Sequence, residues 1–164
     1  MANRVELRYR YPEPPERIRE VLINADYLRD KLRAVGGPGA ELVLREQDER
    51  GVVIVLHHSI PGATLPPFLR SVHPEGLTIR RTETWTNFGG SVHAVVDGMP
   101  GTITVVMHLK PEPSGCVVGA QLTAEVPLPL FGDKVEKMVT NKVAELMVAE
   151  HQFTLDWLHD SAAP

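Results

Sequence analysis

The sequence holds a single cysteine, Cys116, in 164 residues. That excludes an internal disulfide and a cysteine metal cluster, and it fits a reducing, cytoplasmic setting. Positive charge is in short supply: 17 Lys and Arg stand against 21 Asp and Glu, a net charge of −4. A nucleic-acid partner calls for the opposite balance, and no polybasic cluster is present to hold an anionic lipid surface. No stretch approaches the roughly 18 apolar residues of a membrane span, so no integral membrane association is expected. Met1-Ala2-Asn3-Arg4-Val5-Glu6 lacks the apolar run of a secretory signal. A Gly-x-Ser-x-Gly nucleophile elbow is missing too, and the glycines of segment 36–39 lack the strand-to-helix context of a phosphate loop. Apolar content of 43% and charged content of 23% are ordinary for a globular chain, and the length fits one domain, 1–164, around one core.

What is present is mostly β pattern. Residues 4–11 alternate, with Val5, Leu7, Tyr9 and Tyr11 on one face and Arg4, Glu6, Arg8 and Arg10 on the other. Pro12, Pro14 and Pro15 end that strand, since proline cannot donate to a ladder. A helix from Pro15 to about Ile23 follows, because proline suits a first helical turn. Asn24 caps a second short helix that Gly36 and Gly37 stop. Six further strands are predicted over 41–47, 52–60, 77–87, 91–97, 102–110 and 116–126, joined by Gly- and Pro-containing turns. Pro127 and Pro129 close the last of them, and Asp133 with Glu136 has the form of a capping box. From there to about His159 no glycine or proline interrupts a helix on the order of 40 Å long.

Faces follow from the period of two. If Gly89-Gly90 is a two-residue turn, Trp85 pairs with Ala94, and Arg81, Glu83 and Trp85 share a face with Val92, Ala94 and Val96. The same face continues through Ile103, Val105, Met107 and Leu109, and through Val118, Ala120, Leu122, Ala124 and Val126. It is apolar, partly built from small residues, and interrupted by Arg81 and Glu83. The other face carries Thr, His, Gln and Glu, as on a sheet with one wet side. The long helix covers the apolar face with Val135, Val139, Leu146, Ala149, Phe153 and Trp157, widened by Met138, Val143 and Met147. Small side chains leave room, and a few fixed polar groups in an apolar pocket are what a ligand needs. The candidate pocket residues are therefore Arg81, Glu83 and Trp85; Val96, Val105, Met107 and Leu122; and Val139, Val143, Leu146, Met147 and Glu150. The plainer alternatives are an Arg81–Glu83 salt bridge at the sheet rim and Glu150 as a solvated helix charge. In the long link 61–76, Pro66-Pro67 starts a helical turn, and Leu65, Phe68 and Leu69 are candidate lid residues. The same segment could instead pack on the sheet edge or form a homodimer contact, so monomer and homodimer both stay open.

The order strand, two short helices, six-stranded meander, long helix resembles the START-like superfamily, also called the helix-grip or birch-pollen-allergen fold. Arg81-Thr82-Glu83-Thr84-Trp85 and Pro127-Leu128-Pro129 look like those of an uncharacterised actinobacterial family within it. The resemblance implies an α+β fold: a curved seven-stranded antiparallel sheet with the C-terminal helix packed across its concave face. It also implies a cavity for a lipid, sterol or polyketide-like molecule; some relatives are cyclases, but most are carriers or sensors.

Catalytic chemistry is thinly supported. Of seven histidines, His57 and His58 point to opposite faces of a strand, His93 and His108 fall on the polar face, and His151 and His159 lie two helical turns apart. Zinc needs three or four converging ligands, so no metal and no cofactor is expected. Glu83, if burial holds it protonated, is the best acid. The leading reading is a binder or carrier of a small hydrophobic ligand. The alternatives are a cyclase or dehydratase using Arg81 and Glu83, and a protein-interaction module with a vestigial cavity.

Overall fold

The computed structural model describes residues 2–162; Met1, Ala163 and Pro164 of the predicted domain lie outside the described residues. The chain runs β1 (Asn3–Tyr11), α1 (Pro15–Leu22), α2 (Ala25–Val35), β2 (Glu41–Gln47), β3 (Val52–Pro61), a 3-10 turn (Gly62–Thr64), α3 (Pro67–Arg70), β4 (Gly76–Trp85), β5 (Gly89–Val96), β6 (Thr102–Glu112), β7 (Gly115–Glu125) and α4 (Gly132–Ala162). The seven strands form one antiparallel sheet in the order β1-β7-β6-β5-β4-β3-β2, open at β1 and β2. Helix α4 lies across one face, packed on β1 and β7 and against α2. This is the α+β helix-grip arrangement.

The local signals act as expected at the start of the chain. Pro14 and Pro15 open α1, and the Asn24 side chain accepts the Tyr27 N–H at 3.0 Å to cap α2. At α4 the start differs from the prediction, which placed the cap at Asp133. The helix begins at Gly132, and the Glu136 carboxylate instead accepts the backbone N–H of Val126 at 2.9 Å, tying the helix start to the end of β7.

The β4–β5 hairpin differs from the sequence prediction. Its turn is Thr86–Gly89, closed by the Thr86 N–H on the Gly89 carbonyl at 2.9 Å, and Trp85 pairs with Gly90 rather than Ala94. Gly90 serves close approach: a Cβ there would stand 2.6 Å from the Trp85 ring. The slip is two residues on each strand, which preserves parity. Arg81, Glu83 and Trp85 therefore still share the helix-facing side with Val92 and Ala94. His93 and His108 are exposed on the other side.

The core sits between sheet and helices. Ile18, Tyr27, Leu28 and Leu32 from α1 and α2 meet Val52, Ile54, Leu56 and Trp85, and continue into Val118, Ala120 and Leu122. A smaller cluster, Leu65, Leu69 and Leu77, lies under the 61–70 segment. No helix among the described residues is long and apolar enough to cross a membrane.

Candidate functional site

Alternation along β4 aims Ile79, Arg81, Glu83 and Trp85 at α4, and each is flanked in register by β3 and β5. Arg81 lies between Leu56 and Ala94, and Glu83 between Ile54 and Val92. In this apolar setting the charges have found one another. Arg81 Nη2 is 2.6 Å from Glu83 Oε1, and Arg81 Nη1 donates to Glu150 Oε1 at 2.8 Å. Lys31 Nζ, from α2, is 3.6 Å from the same Glu150 oxygen. The indole N–H of Trp85 donates to Glu83 Oε2 at 3.0 Å. Two cations and two carboxylates thus close on each other and link β4, α4 and α2. Glu150 is buried, at 8% exposure, so it is not a solvated helix charge, and the Arg81–Glu83 pair forms inside rather than at the sheet rim.

Electrostatics follow from that closure. Burial pushes the Glu83 carboxyl up, but Arg81, Lys31 and the Trp85 N–H outweigh it and hold the group below the usual carboxylate range. Glu83 is therefore a carboxylate, not the protonated acid that burial alone predicts. Glu150 behaves alike: burial raises it, and Arg81, Lys31 and His58 bring it down to about 2. Thr154 extends the network. Its hydroxyl donates to the Glu150 carbonyl at 2.7 Å, which leaves it to accept from the Tyr27 hydroxyl at 2.7 Å.

Beneath α4 lie three spaces in series, each sharing wall residues with the next. The wide one, about 310 Å³, is enclosed by the end of β3, the 61–70 segment, Ile79, Val96 and Ile103, and by α4 from Met138 to Leu146. Exposed Pro61, Thr64 and Lys142 stand at its rim. A narrow space of about 50 Å³ continues inward past His58, Ala94, Val105, Met107 and Met147 to Arg81. A third, about 60 Å³, holds the charged cluster with Tyr9, Tyr11, Tyr27 and His151. Met138, Val139, Val143, Leu146 and Met147 stay only partly buried because they face these spaces rather than packed sheet. A larger hollow of about 410 Å³ on the outer face of the sheet is lined by Glu6, Arg8, His108, Lys110 and Gln121 among others; it lacks the opposing apolar wall of the inner cavity.

The predicted pocket residues divide among these spaces. Val96, Val139, Leu65 and Leu69 line the wide cavity, with Val143 and Leu146 shared between it and the narrow one. Val105 lines the narrow space; Arg81, Met107 and Met147 join it to the charged end, where Glu83, Trp85 and Glu150 lie. Leu122 is fully buried in the core and lines none of the three. Phe68 points away from the cavity, 42% exposed, with Lys134 Nζ 5.8 Å from its ring.

His58 and Lys31 were missed. Lys31 sits one helical turn after Tyr27 in the buried stripe of α2, its ammonium 5.4 Å from the Tyr27 ring. A lone charge in an apolar stripe is the same signal that marked Arg81. His58 shares the inward parity of Val52, Ile54 and Leu56, and is 4% exposed. Burial, then Arg81, pushes its imidazole down to about 4, so it is neutral at physiological pH. Neither ring nitrogen has a protein hydrogen-bond partner. Each unmade buried bond of this kind costs about 1–3 kcal/mol. Among the described residues no group of three or more His, Cys, Asp or Glu is placed to hold a metal ion.

Solved structures share this fold at low identity. A Thermus thermophilus protein aligns over 99% of this chain and 100% of its own, with 18% identity and a TM-score of 0.64. The Zhui aromatase/cyclase of Streptomyces aligns over 99% and 97%, with 11% identity and a TM-score of 0.70. Norcoclaurine synthase of Thalictrum flavum aligns over 96% and 87%, with 14% identity and a TM-score of 0.60. These likenesses establish the helix-grip, START-like fold. In sequence, uncharacterized proteins of Mycobacterium tuberculosis and Mycobacterium bovis are 26% identical over 120 residues, 68% of this chain and 68% of theirs. Residues 6–158 match the family described as a protein of unknown function, DUF2505, and the chain belongs to that family.

Proposed function

We propose that the protein binds a small apolar molecule between sheet and α4, entered beneath the 61–70 segment, and carries it without chemical change. The observation that carries this reading is the wide cavity of about 310 Å³, walled by aliphatic and methionine side chains. That volume is at the lower end for small-molecule sites. Methionines at its wall, Met99 and Met138, suit a surface that adapts to its occupant. Some proteins of this fold are named for reactions, the aromatase/cyclase and norcoclaurine synthase among them. Here the groups that would serve a cyclase are engaged with each other: Glu83 is held ionised by Arg81 and Lys31, and Arg81 is shared with Glu150. That favours carriage over catalysis.

Protein purified without detergent is expected to carry a small apolar adduct. Native mass spectrometry would show the added mass, and organic extraction would release it. Protein that carries no adduct and takes up no neutral apolar dye would contradict the reading.

A further inference from the structure

We propose that His58 is the head-group anchor of this cavity and that the ligand is an apolar molecule bearing an uncharged hydroxyl. This rests on the cavity reading above and adds the chemistry of the bound group. The polar side chains lining the wide cavity are His58, Ser59, Thr64 and Lys142. Ser59, Thr64 and Lys142 each have a partner in the protein. The Ser59 hydroxyl donates to the Pro38 carbonyl, the Thr64 hydroxyl donates to the Pro61 carbonyl at 2.8 Å, and Lys142 is at the surface, 3.4 Å from Glu145. Of the four, His58 alone is buried with no partner at either ring nitrogen, and it sits where the wide cavity meets the narrow one.

A neutral imidazole offers one N–H and one accepting nitrogen. A hydroxyl can give or take a proton-bearing bond, so it pairs with whichever nitrogen faces it. A carbonyl pairs with the N–H alone. A carboxylate would bring a charge into an apolar chamber whose cations already face carboxylates: Arg81 and Lys31 face Glu83 and Glu150, and Lys142 at the rim is 3.4 Å from Glu145. Among the described buried side-chain atoms, the cationic donor without a partner is Arg81 Nε, at the inner end of the narrow space.

The test is displacement of the neutral dye N-phenyl-1-naphthylamine at neutral pH by 1-decanol and by decanoate. Wild type should bind the dye and release it to 1-decanol ahead of decanoate. Measured against each protein's own dye affinity, His58→Phe should bind 1-decanol about tenfold more weakly than wild type does, the worth of one good hydrogen bond. His58→Gln, which keeps a donor and an acceptor, should restore most of that affinity. In 15N-histidine-labelled wild type, 1-decanol should shift the His58 ring resonances, a readout that needs no folded variant. Dye binding with equal 1-decanol affinity in wild type and His58→Phe, release to decanoate ahead of 1-decanol, or unmoved His58 resonances would overturn the anchor while leaving the cavity. Failure of wild type to bind the dye at all would overturn the cavity reading and this inference with it.

Discussion

Replacing Glu150 by alanine is expected to destabilise the fold by about 3–5 kcal/mol, the cost of stranding a buried charge. Glu150 accepts from Arg81 at 2.8 Å and faces Lys31 at 3.6 Å, so its loss leaves two enclosed cations sharing Glu83. The same substitution unties α4 from β4 and α2 at once. In a chain of this length the melting temperature should fall by roughly 6–20 °C. Glu145→Ala, which removes the exposed Lys142–Glu145 pair at 3.4 Å, is the control and should change stability by no more than about 0.5 kcal/mol. Urea denaturation of both variants decides the matter. A Glu150→Ala variant as stable as wild type would mean that the buried ion network is not what joins the helix to the sheet.

Acid should weaken the protein in two successive windows, and His58 should own much of the first. Its imidazole titrates near 6.5 when exposed and is pushed down to about 4 in the fold, first by burial and then by Arg81, with Glu150 opposing. Between those values the unfolded chain holds more protons than the folded one. Stability therefore falls as pH drops from about 6.5 toward 4 and, for this residue, levels off below that. The full loss is on the order of 3 kcal/mol. Glu150 acts later. Its carboxyl lies at about 2 in the fold against an ordinary 4.5, so its contribution is present above 4.5 and is lost as pH falls toward 2. His151, also pushed down by burial, adds to the first window. His58→Gln should flatten most of the first window and leave the second. Denaturant midpoints measured across the acid range check this; an unchanged slope above pH 4 in the variant would contradict it.

The sequence made the sheet faces legible because parity survives error. The β4–β5 turn was misplaced by two residues on each strand, yet Arg81 and Glu83 stayed inside, since an even slip keeps every side chain on its face. Gly89-Gly90 misled because glycine signals both turns and close approach. Here the second role won: Gly90 lies under the Trp85 ring, and a Cβ at Gly89 would stand 2.3 Å from the Met107 carbonyl oxygen. The charged pair was legible as charge on an apolar face, but not its closure with Glu150 and Lys31, which are distant in sequence and converge only on packing α2 and α4. His58 stayed hidden because the run Val52 to Leu56 is apolar on both faces and fixes no parity. The structure supplies it through the pairing of Leu56 with Arg81 and of His58 with Ile79. The alanines were read as making room. Ala94 does so at the narrow space, whereas Ala120 and Ala124 are packed into the strand under α4.

The most direct measurement of the central claim uses the methionines as reporters. Of the five, Met99 and Met138 line the wide cavity, while Met107 and Met147 line the narrow one. In a 13C-methyl-methionine spectrum titrated with N-phenyl-1-naphthylamine, the Met99 and Met138 signals should shift and show contacts to the dye protons. Titration that leaves both methyls unmoved while the dye still binds would place the ligand elsewhere and contradict the account.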